Sequence, residues 1–161
     1  MKYLFLAISC FLAIVAQTIG GNNFFIFDFL DLSLILIAYW ALNRSRMQAL
    51  FVGSITGLLL DSVFGWPLGF NGFGKTLAAF FMGQVAKRLN VSESWLRFLL
   101  IATASCLNSL SVYVLFRLMQ RSYSPVFLGA SIVQALTTGA AGAVFMAALD
   151  SYNAAQARRT S

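Results

Sequence analysis

Residues Gly57–Lys75 read GLLLDSVFGWPLGFNGFGK. An apolar run carrying one carboxylate, Asp61, breaks at Gly65-Trp66-Pro67-Leu68-Gly69 and restarts with the polar residues Asn71 and Lys75. Glycine and proline at that spacing punctuate helices, because proline cannot continue one and glycine permits the backbone to reverse. The segment therefore reads as a tight hairpin joining two apolar helices, with charge placed inside it.

The surrounding chain is 60% apolar and 10% charged over 161 residues. No polar shell can be drawn around that much hydrocarbon, so the composition predicts an integral membrane protein and excludes a water-soluble globule. The length suits one bundle, and no linker or charge block separates a second region, so residues 1–161 are read as a single domain. The net charge of +6 is scattered between apolar runs, which points to membrane topology and away from nucleic acid.

Six apolar runs approach the roughly 20 residues that cross a bilayer core. They are Tyr3 to Ile19, Phe24 to Leu42, Met47 to Phe64, Phe70 to Ala86, Trp95 to Phe116 and Val126 to Leu149. With the N-terminus inside, Lys2, Arg44, Arg46, Lys87, Arg88, Arg97, Arg158 and Arg159 share the inner side, eight of eleven basic residues. Lys75, Arg117 and Arg121 fall outside. Cytoplasmic loops collect Lys and Arg, so this division predicts a multi-pass inner-membrane protein with both termini cytoplasmic. Tyr3, Trp40, Trp66, Trp95, Tyr123 and Tyr152 fall at run ends, where amphipathic rings favour the interface. The first run, preceded by Lys2, also has the look of a signal peptide, but it is long and no clean small-x-small cleavage site follows it. It is read as the first helix.

Chemistry finds little to work with. There is no histidine, so the usual general base and commonest metal ligand are missing. Cys10 and Cys106 lie within apolar runs as small hydrophobes. The acidic residues are Asp28, Asp31, Asp61, Glu93 and Asp150, with the last two in solvated inner segments. No catalytic, metal or cofactor site is predicted.

Packing signals are clearer, since helices associate in lipid where small side chains let backbones approach. The last helix carries Ser131, Ala135, Gly139, Ala143 and Ala147 at a spacing of four, which makes one small-residue face. Such a face serves either internal packing or docking of a partner's transmembrane helix. Gly53 and Gly57 form a small-xxx-small pair in the third helix, and Ser105, Asn108 and Ser109 add polar groups to the fifth.

Asp61 lies about 20 Å from the start of its helix, short of the outer interface. A lone charge there costs up to about 3 kcal/mol on insertion scales, so it requires a partner or water. The hairpin returns Lys75 to a similar depth, which makes it the expected partner, with Asn71 capping the next helix beside it. A structural ion pair, a solvated cavity for a solute or proton, and a polar anchor for a partner all remain open readings.

The run Asp31 to Leu89 resembles the core of the bacterial rod shape-determining MreD family. The resemblance rests on an acidic residue opening the second helix, a short basic loop, G-x-x-x-G-L-x-x-D from Gly53 to Asp61, G-x-P-L-G from Gly65 to Gly69, and a polar start to the fourth helix. Leu30 stands before Asp31, where the family often has proline. The resemblance implies an all-α bundle of six transmembrane helices, similar to the substrate-binding subunits of energy-coupling-factor transporters. It implies a non-enzymatic scaffold of the cell-elongation machinery, partnered by MreC through its transmembrane helix, and indirectly by MreB filaments and the peptidoglycan synthase complex. Gly57, Asp61, Gly65, Pro67, Leu68 and Gly69 match the family pattern and take structural, partner-positioning roles, with Asn71 and Lys75 completing the polar hairpin. The competing class is a substrate-binding membrane subunit of a vitamin-type transporter, which demands more converging polar residues than Asp61, Asn71, Lys75 and Asn108 supply.

Overall fold

In a computed structural model of the chain, described over residues 2–23, 30–88, 91, 93–119 and 126–159, every regular element is an α-helix. The helices are α1 (Lys2–Asn23), α2 (Leu32–Asn43), α3 (Arg46–Val63), α4 (Phe70–Arg88), α5 (Ser94–Leu118) and α6 (Val126–Arg159). All six expected helices are present. Two stretches, Ser94–Leu118 and Gly129–Tyr152, are long and apolar enough by themselves to cross a membrane. α3 and α4 carry Asp61, Lys75 and several glycines, which lower their hydropathy, and the apolar piece of α2 is short.

Three helix limits differ from the sequence reading. α1 runs through the Gly20 to Asn23 gap to Asn23. α2 starts at Leu32, since the Asp31 carboxylate accepts from Leu34 N at 3.1 Å and fixes the N-terminus there. The earlier part of the expected run, including Asp28, lies outside the described residues, as do Arg121 and Tyr123. α6 continues past Leu149 to Arg159. Its polar continuation, DSYNAAQARR, is rich in good helix formers, so the helix outlasts the hydrophobicity.

Turn chemistry explains the joints. Between α2 and α3, Ser45 caps α3 in a capping box with Gln48, which satisfies N–H groups that the first turn leaves orphaned. α3 ends with Gly65 at φ 65°, and Trp66 N donates to Asp61 O at 2.9 Å. This six-to-one closure requires a left-handed residue, the reason for glycine at 65.

α2 is the hub. Seven of its residues are buried, and it packs against all five other helices. Around it α1 meets α3, α3 meets α4, α4 meets α5, and α5 meets α6, while the described residues of α1 and α6 do not touch. The arc is therefore open between α1 and α6. Arg44, Arg46, Lys87, Arg88 and Arg97 gather at one end of the bundle, the basic end, and the α3–α4 turn lies at the other. The basic end is tied by Arg46 to Gln84 and by Arg97 Nη1 to Asp150 Oδ2 at 2.5 Å.

Candidate functional site

A layer of buried polar side chains crosses the bundle: Asp31, Ser33, Thr56, Asp61, Lys75, Ser105, Asn108 and Thr138. Counted along their helices at 1.5 Å per residue, they lie roughly 15–22 Å from the basic end, within the depth of a hydrocarbon core. Every helix from α2 to α6 or its cap contributes.

Asp31 organises one half. Its carboxylate forms an ion pair with Lys75, and the two side chains are 3% and 1% exposed. It also accepts from Ser33 Oγ at 2.5 Å and Leu34 N at 3.1 Å, while Asp31 N donates to Thr138 Oγ1 of α6 at 3.0 Å. Ser33 N donates to Gln17 Oε1 of α1 at 3.4 Å. A helix whose start is buried must satisfy its first N–H groups from protein, because no water reaches them. Here Gln17 of α1 and Thr138 of α6 accept from N–H groups at the start of α2, while Lys75 of α4 pairs with the capping carboxylate.

Asp61 organises the other half. Its two oxygens accept from Gly69 N at 2.9 Å, Asn71 N at 3.0 Å, Asn71 Nδ2 at 3.0 Å and Gly72 N at 3.3 Å. These are the free N–H groups opening α4, where the helix dipole also favours an anion. The backbone of Asp61 closes α3 and its side chain opens α4, so one residue fixes both sides of the hairpin. The expected Asp61–Lys75 pair is therefore corrected. Lys75 reaches Asp31 instead, and Asp61 is neutralised by helix N–H groups, with no cation among the described residues paired to it.

Close backbone approach holds α3 on α4. A Cβ added to Gly57 would lie 2.5 Å from Gly72 Cα and 2.6 Å from the Asn71 carbonyl, and one on Gly53 would lie 2.8 Å from Lys75 O. Ser54 and Thr76 bond across this contact at 2.8 Å. On α5, Ser105 Oγ and Asn108 Oδ1 are buried with no hydrogen-bond partner among the described residues. Asn108 faces Gly74, where an added Cβ would fall 2.6 Å from Oδ1.

A family model described as rod shape-determining protein MreD matches residues 1–147. The chain belongs to the MreD family. The match covers all of the polar layer and both halves of the hairpin. No curated protein and no solved structure matches the chain, so the expected likeness to energy-coupling-factor subunits rests on resemblance alone. The family is one of shape-determining membrane proteins, which gives this chain a role in rod-shape determination and a place among protein partners of that machinery.

Of the residues singled out from this MreD-family sequence, Gly57, Asp61, Gly69, Asn71 and Lys75 converge around the start of α4, although Lys75 turns to α2. Gly65 shapes the turn, and Leu68 is exposed at its tip, 71% accessible, beside Pro67. The small face of α6 turns inward: Ser131, Ala135, Gly139 and Ala143 are buried and Ala147 half-buried. A Cβ on Gly139 would lie 3.2 Å from Ala102 and Phe98 of α5. That face is thus already occupied by this chain's own helix. Sequence reasoning left Asp31, Ser33 and Thr138 out of the site. The Asp31-Leu-Ser33 start of α2 carried a capping signal, whereas nothing in the sequence marked Thr138.

Both carboxylates accept from N–H or O–H donors, and Lys75 is paired with Asp31. Among the described residues no three His, Cys, Asp or Glu side chains cluster to hold a metal.

Proposed function

We propose that this chain is a non-enzymatic inner-membrane scaffold of the cell-elongation machinery: one six-helix domain over residues 1–161, with both termini cytoplasmic. It holds the transmembrane helix of MreC, and through MreC it helps to position MreB filaments and the peptidoglycan synthase complex. The observation that carries this reading is the MreD family match over residues 1–147. The polar layer supports it physically. Asp31, Asp61 and Lys75 spend their charge on fixing α2, α3 and α4 to one another, as a rigid frame requires and a solute carrier does not. With the small face of α6 covered by α5, a partner helix meets the outward faces of the bundle.

Tagged protein expressed in rod-shaped cells depleted of their own copy is expected to restore rod shape and to co-purify MreC. Protein that inserts at normal levels yet does neither would refute the scaffold role. The single substitutions Arg44→Cys and Leu68→Cys, both at exposed positions, test topology: an impermeant thiol reagent added to intact cells should label position 68 alone. Capture of a small solute is the second reading, drawing on the unpaired Ser105 Oγ and Asn108 Oδ1. Native mass spectrometry separates the two, since a retained water-soluble molecule supports the carrier and lipid alone supports the scaffold.

A further inference from the structure

The open side of the arc around α2 ends, at the basic end, in a small pocket. Its volume is about 140 Å³, and Tyr39, Asn43 and Arg44 line it from the α2 side and Met146, Leu149 and Asp150 from α6. Several waters' share of liquid occupies that space, which suits a polar headgroup and excludes a helix about 10 Å across. The pocket holds both signs of charge. Arg44 is exposed, and among the described residues no hydrogen bond or ion pair engages its guanidinium. Asp150 bonds Arg97 through Oδ2, which leaves Oδ1 available on a side chain that is half exposed.

Below the pocket the lining becomes apolar. α2 is enclosed by α1, α3, α4, α5 and α6, and among the described residues the only break in that ring lies between α1 and α6. Of the residues of α2 that stay partly exposed, Leu32, Leu36 and Tyr39 follow one helical stripe that ends at the exposed Asn43, and Leu42 lies to one side of it. Ser33 bonds Gln17 of α1 on one flank of this stripe and Ile35 lies against Gly142 of α6 on the other, so the stripe floors the break, and it runs roughly 16 Å down from the pocket. One leaflet of a core about 30 Å thick is of similar depth.

We infer that the α1–α6 cleft seats one phospholipid with a primary-amine headgroup, a phosphatidylethanolamine, its phosphate on Arg44, its ammonium on Asp150 Oδ1 and an acyl chain over Leu36 and Leu32. Charge complementarity selects this occupant. A purely anionic headgroup meets the Asp150 carboxylate, and a choline headgroup has no N–H to donate to it. Guanidinium and phosphate pair through parallel hydrogen bonds, the reason for arginine at the mouth of the site. The inference rests on reading the basic end as a membrane interface, and it extends the scaffold proposal by giving the bundle a lipid as a structural part.

The test uses the full-length protein, delipidated in mild detergent and titrated with phosphatidylethanolamine, phosphatidylglycerol or phosphatidylcholine of identical acyl chains, with adducts read by native mass spectrometry. One phosphatidylethanolamine is expected to bind in preference to the other two. Arg44→Ala should weaken that adduct about tenfold, as loss of one charge-assisted pair implies. Asp150→Asn should abolish the preference over phosphatidylglycerol, while Leu58→Ala, on the exposed face of α3, changes nothing. Thermal melting of each variant confirms that the fold is kept. Equal adducts for the three lipids, or an Arg44→Ala variant that binds as wild type does, would overturn the inference. Displacement of the bound lipid by co-purified MreC would overturn it too, by assigning the cleft to a protein helix. Failure of the scaffold reading shows up separately, as loss of MreC association with lipid selectivity intact.

Discussion

The pairing of Lys75 with Asp31 can be tested against the pairing that sequence proximity suggests. Lys75→Met leaves the Asp31 carboxylate buried without its cation. Removing one partner of a buried pair costs about 3–5 kcal/mol, because the other charge stays desolvated. Asp31→Asn alone strands the Lys75 ammonium at similar cost, although the amide oxygen can still accept from Leu34 N. The double variant has neither charge and should lie within about 2 kcal/mol of wild type, so the coupling is about 4 kcal/mol or more. Asp61 and Lys75 share no hydrogen bond or ion pair, so Asp61→Asn and Lys75→Met should add to within about 0.5 kcal/mol. Unfolding in mixed micelles by a denaturing detergent, followed by the fluorescence of Trp40, Trp66 and Trp95, yields both cycles. A larger coupling for 61 with 75 than for 31 with 75 would refute the assignment.

Further outcomes rest on the same geometry. Gly57→Ala should destabilise by about 3 kcal/mol, since its Cβ meets the α4 backbone, which cannot step aside; Gly72→Ala meets only the Leu58 side chain at 3.2 Å and should cost about 1 kcal/mol, both read by detergent denaturation. Asp61→Asn keeps one accepting oxygen for donors that now use two, so a loss of about 2–3 kcal/mol is expected, and Lys75→Met should not rescue it. Gly139→Leu is expected to drive α6 off Phe98 and Ala102, lowering the melting temperature in detergent even when no partner is present; loss of partner binding at unchanged stability would contradict that packing.

Hydropathy made the helix order readable, because each of the six helices carries an apolar run bounded by turn or charge signals. The hairpin was also legible, since glycine at 65 and 69 and proline at 67 have few other uses in such a context. Ser45-x-x-Gln48 is a capping box visible in the sequence, yet beside Arg44 and Arg46 it passes for a basic loop. The true partner of Asp61 was hidden because a carboxylate can be neutralised by helix N–H groups as well as by a cation, and only the fold shows which is nearer. The start of α2 was hidden for a related reason: Phe24 to Leu30 is as apolar as the helix beyond Asp31, so hydrophobicity runs straight through the break. The inward turn of the α6 small face was open from sequence, as small residues serve internal and external contacts alike.

α6 is tied to α5 through Asp150 and Arg97 and remains helical to Arg159, roughly 14 Å farther on. A continuous helix transmits azimuth as well as distance. Whatever is carried at its end is aimed in a direction set by residue count, so two residues inserted after Asp150 swing it about 200°, while seven return it close to its starting bearing and about 10 Å farther out. The tail behaves as an indexed spindle, sensitive to phase before it is sensitive to length.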